Sequence, residues 1–410
     1  MNKEEIIIVP EAAKSILNRI LLISTMMEAP LDFSGISSCA DVRTMITNME
    51  VLGYRVEACG EHHRCYSIGK IPDRVRLRIE DAGAVWRFLM ARMVCWENME
   101  STLEISEQLE KRPIKVLLDS LRELGAEIDS AVFPVVIRGK KLVGGEISIR
   151  SDVSSQFVSA LLLVSPLFEK GLRINLTGKP VSASYIKMTM KVMQDFGVTA
   201  EWQDNRISVE SGQSYHYRGV YQVEPDYSSA CYFWTMGALS SRWICTVNQP
   251  GISVQPDYGF LDVLRRMGAE VKMKENWICL RRKKLQGIKI DMRGMPDQVP
   301  TLAFLAIFAD SPVRISGIEH LRHKESDRIS SILQEMRKLE IKADYESGVL
   351  TIYPDPNFRR NAVLSSHNDH RIAMGLHLIR FMSPEITISG TGCIAKSYVG
   401  FSNHFSAISV

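Results

Sequence analysis

The chain has 410 residues, of which 45% are hydrophobic and 24% charged, and it carries a formal net charge of +3. That length exceeds one compact core and points to two domains of ordinary globular composition. The near-neutral charge excludes bulk electrostatic binding of nucleic acid, and uncharged apolar runs such as Phe157–Phe168 fall short of the ~18 residues of a membrane helix.

The N-terminus lacks an apolar h-region, so the expected location is the cytoplasm. A short strand is expected at Ile6–Val9, and the first helix opens at Lys14-Ser15. From there the chain repeats itself. A helix end followed by a strand recurs with Gly53, Gly125, Gly197, Gly268 and Glu340 in the same phase, at intervals of 72, 72, 71 and 72. Glycine suits a helix C-terminus in the left-handed region, so Glu340 predicts a less relaxed cap in the fifth copy. Polar clusters open a second set of helices near positions 15, 83, 155, 228, 297 and 369. Six copies of about 72 residues, each with two helices, predict three copies per domain. The expected domains are 11–222 and 1–10 with 223–410, the N-terminal strand supplying the strand that the last copy lacks.

The eight cysteines, Cys39, Cys59, Cys65, Cys95, Cys231, Cys245, Cys279 and Cys393, form no CxxC pair. They are expected as buried reduced thiols, with no metal site.

Chemistry collects at the helix starts. Lys324-Glu325-Ser326-Asp327-Arg328 precedes an amphipathic run, with Ser326 or Asp327 as the expected N-cap. Lys14, Arg19, Arg87, Arg112, Lys324, Arg328, Arg371 and Lys396 all fall in or just before the first two helical turns. The helix dipole favours acids there, so these cations imply a polyanionic ligand. If the two domains point these helix ends at each other, their cleft suits phosphate and carboxylate groups. Asp297 and Glu325 stand among the cations as an acid–base pair. No GxxxxGK[ST] or GxGxxG is present, so cofactor-free acid–base chemistry on anionic small molecules is expected.

Seven motifs carry a resemblance: Lys14-Ser15-x-x-Asn18-Arg19, Asp81-Ala82-Gly83-x-x-x-Arg87, Lys111-Arg112-Pro113-Ile114, Ser154-Ser155-Gln156-Phe157, Lys324–Arg328, Asn368-Asp369-His370-Arg371 and Ala395-Lys396-Ser397. In this order, over nearly the whole chain, they resemble the 3-phosphoshikimate 1-carboxyvinyltransferase (EPSP synthase) family of enolpyruvyl transferases. The resemblance implies a two-domain inside-out α/β barrel of six βαβαββ units. It also implies transfer of the enolpyruvyl group of phosphoenolpyruvate to the 5-hydroxyl of shikimate 3-phosphate, in aromatic amino-acid biosynthesis. Lys14, Gly83, Arg112, Arg328, Arg371 and Lys396 are implied to bind phosphoenolpyruvate. Ser15, Arg19, Ser154, Ser155, Gln156, Ser182, Asp297 and Lys324 are implied to bind shikimate 3-phosphate, with Tyr185 close by. Asp297, Glu325 and Lys14 are implied to be catalytic. Partners are these two small molecules, with no nucleic acid or membrane, and the chain is expected as a monomer.

The sequence departs from the family pattern at Leu17, Asp81, Ala84, His320 and Val399. Leu17 and Ala84 lack a hydroxyl, and Asp81 places an acid where a neutral amide is usual, so weakened donor binding is expected. Two other readings stay open. One is a non-catalytic or altered-donor paralogue that binds a phosphorylated ligand. The other is a UDP-N-acetylglucosamine enolpyruvyl transferase, which calls for Lys-Asn in place of Lys14-Ser15 and for a reactive loop cysteine, whereas Cys95 lies on a helix.

Overall fold

The computed structural model describes residues 5–69 and 71–409. They divide into two compact units, one running from Lys14 to Val223 and the other comprising the residues up to Ala13 with those from Glu224 onward.

Each repeat has the same logic, which the second copy shows in full. Strand Arg74–Ile79 alternates exposed arginines with buried Val75, Leu77 and Ile79. A buried helix, Gly83–Met93, returns the chain to Glu100–Ile105, which pairs with Arg74–Ile79 in parallel. An outer helix, Lys115–Glu123, buries only Leu117, Leu118, Ser120 and Leu121. A short antiparallel hairpin, Glu127–Ile128 with Val135–Arg138, then completes a four-stranded sheet against Glu100–Ile105. Parallel neighbours need such a crossover, whereas antiparallel neighbours need only a turn.

Five four-stranded sheets and one two-stranded sheet form among the described residues. The sheet of the first copy takes Val220–Gln222 as the parallel partner of Leu31–Ser34. The sheet of the fourth copy takes the N-terminal strand Glu5–Ile8 in the same role beside Trp243–Val247. The sixth copy has only Val363–Ser365 and Thr387–Ser389, and its outer helix Phe401–Ile408 follows.

The buried helices are apolar nearly all round, as helices enclosed by sheets must be. Lys14–Ser24, Gly83–Met93 and Ser155–Val164 fill one unit; Tyr227–Leu239, Val299–Leu305 and His370–Met382 fill the other. Burying each Leu, Ile or Phe side chain contributes about 1.5–3 kcal/mol against exposure, so these six helices anchor the architecture. Some charged motifs lie at their N-termini, whereas Lys324–Arg328 opens the helix Arg328–Lys338.

The expected glycine phase is a row of left-handed caps: Gly53, Gly125, Gly197 and Gly268 have φ of 85°, 97°, 85° and 101°. Glu340 holds the same position at φ 62°, a conformation unfavourable for a side chain with a Cβ. The cysteine expectation needs two corrections, the first being that Cys59, Cys95 and Cys393 are only partly buried. Cys245 and Cys279 face each other in neighbouring antiparallel strands and are joined as a disulfide, while the other six are free. Strand register, invisible in their separation of 34 residues, brings them together. No helix among the described residues is long and apolar enough to cross a membrane.

Candidate active site

In the unit from Lys14 to Val223, the polar motifs cluster in two groups. Lys14 begins its helix with its ammonium 2.5 Å from Asp41. One turn on, Arg19 is buried; its Nη1 donates to the Ser15 carbonyl at 2.6 Å and its Nε to Thr189 Oγ1 at 2.8 Å. Burial lowers its pKa to about 10, which leaves it charged at neutral pH. These bonds tie the first helix to Ala183–Asp195, whose preceding residue Ser182 is left-handed at φ 53°.

The second group joins the next two buried helices. Arg87 is 1% exposed; its Nη1 donates to the Gly83 carbonyl and, at 2.9 Å, to Gln156 Oε1. Its guanidinium lies 4.4 Å over the ring of Trp86. Ser154 is the N-cap of Ser155–Val164 and accepts from the Gln156 amide at 3.3 Å, while Ser155 is buried behind it. Arg112 lies across the opening of the Gly83 helix, where a Cβ on residue 83 would sit 2.3 Å from its Nη1. Glycine is therefore what lets this guanidinium cover the helix N-terminus.

The departures from the family pattern sit differently from one another. Leu17 is fully buried in the core, so its missing hydroxyl belongs to packing. The Asp81 carboxylate accepts from the Ser106 hydroxyl at 3.0 Å, and Ser106 also caps the helix Glu107–Glu110.

In the other unit the charged motifs converge on one guanidinium. Arg328 opens the helix Arg328–Lys338, with Asp327 as the N-cap accepting from the Ser330 amide at 3.1 Å. Arg328 is 1% exposed. Its Nε donates to Asp369 at 2.8 Å, its Nη1 to Asp297 at 2.9 Å and its Nη2 to Glu325 at 3.0 Å. Asp297 is also held by Arg371 at 3.2 Å and faces Lys324 at 3.8 Å. Lys396 reaches Glu325 at 3.3 Å. All six unit-local residues expected from sequence, Asp297, Lys324, Glu325, Arg328, Arg371 and Lys396, thus belong to one network.

Burial pushes the Asp297 pKa up, but Arg371, Lys324 and Arg328 outweigh it and hold this carboxyl well below the usual range. Asp369, Glu325 and Asp297 keep Arg328 charged despite its burial, and Tyr232, Asp297, Asp257 and Asp226 do so for Arg371. Three members were not named as site residues from sequence. Asp369 caps the helix His370–Met382 through the Arg371 amide while gripping Arg328. Tyr232 accepts from Arg371 at 3.3 Å. Asp257, wholly buried, accepts from Ser228 and, at 3.0 Å, from Gln298. Burial and the neighbouring charge of Asp297 raise its pKa to about 6. Asp369 lay within a quoted motif, and Asp257 lies near the fourth copy's counterpart of the Lys324 stretch in the repeat; Tyr232 carried no signal of its own. His320 is 6% exposed, and burial with the charge of Lys324 lowers its pKa to about 3, keeping the ring neutral.

The model of the EPSP synthase (3-phosphoshikimate 1-carboxyvinyltransferase) family matches residues 4–405. The chain belongs to the EPSP synthase family. Its relatives include the 3-phosphoshikimate 1-carboxyvinyltransferase of Shewanella denitrificans, 33% identical over 97% of this chain and 94% of the relative. The enzyme of the same name from Haemophilus influenzae is 34% identical over 97% and 94%. Among solved structures, the EPSP synthase of Acinetobacter baumannii superposes with a TM-score of 0.80 at 21% identity, covering 98% of this chain and 95% of that one. The enolpyruvyl transferase NikO of Streptomyces tendae gives 0.75 at 16% identity, covering 99% and 95%. The fold of this EPSP synthase family member is accordingly the two-domain α/β fold of the enolpyruvyl transferases.

Proposed function

We propose that this protein transfers the enolpyruvyl group of phosphoenolpyruvate to the 5-hydroxyl of shikimate 3-phosphate, releasing phosphate, as a cytoplasmic monomer of the shikimate pathway. Residues 11–222, and 1–10 with 223–410, act as two half-sites on one pair of substrates. The observation that carries this reading is the Arg328 network, which gathers both acid–base carboxylates and four cations in one buried cluster.

Lys14, Gly83, Arg112, Arg328, Arg371 and Lys396 hold the donor, since guanidinium forks match carboxylate and phosphate. Ser15, Arg19, Ser154, Ser155, Gln156, Ser182 and Lys324 hold the acceptor, the hydroxyls and amides of helix starts supplying donors to its phosphate. The 5-hydroxyl oxygen bonds to C2 of the donor as its proton passes to Asp297, while C3 takes a proton from Glu325. C3 then returns a proton as the C2–O bond to phosphate breaks, which restores the double bond. Fixed cations stabilise the charge that develops on the departing phosphate.

Asp297 is ionised and therefore able to accept a proton, yet its three cations make it a weak base until substrate anions draw them away. A purely ligand-binding role has no use for this pairing of ionised Asp297 with Glu325 and Lys396. A cysteine-dependent relative is disfavoured because burial pushes the Cys95 thiol up to about 12, far from a reactive thiolate. Asp81 and Ala84 remain the basis for weaker donor binding, and a KM for phosphoenolpyruvate in the family's ordinary range counts against that part.

Phosphate release decides the main reading. With both substrates the protein liberates phosphate, with either alone it does not, and Asp297→Asn lowers kcat by about 10²–10⁴-fold. Tight binding of shikimate 3-phosphate with no phosphate release from the wild-type protein identifies a non-catalytic paralogue instead.

A further inference from the structure

The buried helices Tyr227–Leu239, Val299–Leu305 and His370–Met382 bring charged motifs to their N-terminal ends. At their C-terminal ends lies a second feature, a cavity of about 560 Å³. A 13-residue helix such as His370–Met382 is about 20 Å long, which separates this pole from the Arg371 end.

The cavity floor is apolar: Leu239 and Met382 end two of the helices, and Ile307 and Phe358 close the sides. Its rim is basic, with Arg282, Lys283, Lys284 and Arg360 against the single carboxylate of Asp310. That carboxylate is already 3.1 Å from Lys284. Arg360 is pinned over the ring of Phe358 at 5.2 Å, so one cation stands directly beside the apolar floor. Ser383, a residue only 2% exposed, is also in the lining.

The duplicated architecture supplies an internal control. In the other unit the corresponding helix ends are covered by the chain's own side chains. Arg92 donates to the Thr25 hydroxyl at 3.1 Å and to its carbonyl at 3.0 Å, and it stacks 3.9 Å over Trp96. Tyr54 donates to the same carbonyl at 3.1 Å, and Tyr215 to that of Leu163 at 2.8 Å. There, aromatic rings and a cation fill the pole from within. Here, cations ring an apolar hollow.

We propose that this hollow is a binding site for an amphipathic carboxylate, a small molecule with one or two apolar rings and a single anionic group. The rings occupy the floor over Leu239, Ile307 and Phe358. The carboxylate meets the Arg282, Lys283 and Arg360 side of the rim. Basic residues also complement helix C-termini, but that role needs no cavity.

Titration calorimetry of the full-length protein with 1-naphthoate tests the proposal, with neutral 1-naphthalenemethanol as the comparison. The expected result is saturable binding of one naphthoate. The double variant Arg282→Glu/Lys283→Glu weakens naphthoate by about tenfold but changes the neutral probe by less than about twofold. Ala309→Trp fills the hollow and weakens both probes. Both variants keep the phosphate-release activity of the wild-type protein, which shows that they are folded. Absence of saturable naphthoate binding, or binding that neither variant alters, overturns the proposal.

Discussion

Arg328 shows how a single side chain organises the second half-site. One guanidinium satisfies Asp369, Asp297 and Glu325 together, and each of these carboxylates has a separate task. In the proposed function, substrate anions compete with Asp297 and Glu325 for the same cations, which links binding to acid–base activation. In the other unit, the proposed donor contact depends on Gly83. Gly83→Ala places a Cβ where Arg112 Nη1 now lies, and the guanidinium must swing away. Steady-state kinetics should then show KM for phosphoenolpyruvate raised about 5–10-fold, the scale of one charge-assisted contact, with KM for shikimate 3-phosphate nearly unchanged. Asp257 makes a prediction about pH. Its carboxyl gives up its proton near pH 4 in the unfolded chain but only near about 6 in the native protein. The native state thus holds the extra proton between these values, and this group's contribution to stability falls as pH rises from about 4 to 6. Asp257→Asn keeps an acceptor for Ser228 and Gln298 and removes the burdened charge. Urea unfolding should find the variant more stable at pH 7.5 by on the order of 1–3 kcal/mol, with a smaller gap at pH 5; a gap independent of pH argues against the assignment.

At the scale of elements, the repeat was readable because each copy ends a helix on a left-handed residue, and Gly53, Gly125, Gly197 and Gly268 report that need directly. Glu340 keeps the conformation without the residue suited to it. Glu340→Gly should raise stability by about 0.5–1 kcal/mol, seen as a melting temperature higher by about 1–3 °C. The cap before Arg328 was legible only as Ser326 or Asp327, and the structure shows Asp327 in that role. Side-chain direction was not legible. Leu17 stands two residues from Ser15 yet points into the core, and nothing in the local pattern separates a site-facing position from a core-facing one on a helix buried all round. The Cys245–Cys279 pairing and the approach of Tyr232 to Arg371 depend on tertiary packing in the same way.

Across the whole molecule, each unit gathers helix starts with charged or polar motifs, and the proposed function assigns these a shared chemistry. The pole at the opposite helix ends left no such signature, because Arg282, Lys283 and Arg360 read as ordinary surface charge until the hollow beside them is known. Enolpyruvyl transfer by addition and elimination through Glu325 is the step on which the proposed function stands. The most direct measurement is the reaction run in deuterium oxide and followed by proton NMR. The expected product is a new enolpyruvyl ether of shikimate 3-phosphate with deuterium in its vinyl methylene, and Glu325→Gln slows its appearance by at least about 10²-fold. Phosphate release with no deuterium at that carbon, or no enolpyruvyl ether at all, would contradict it.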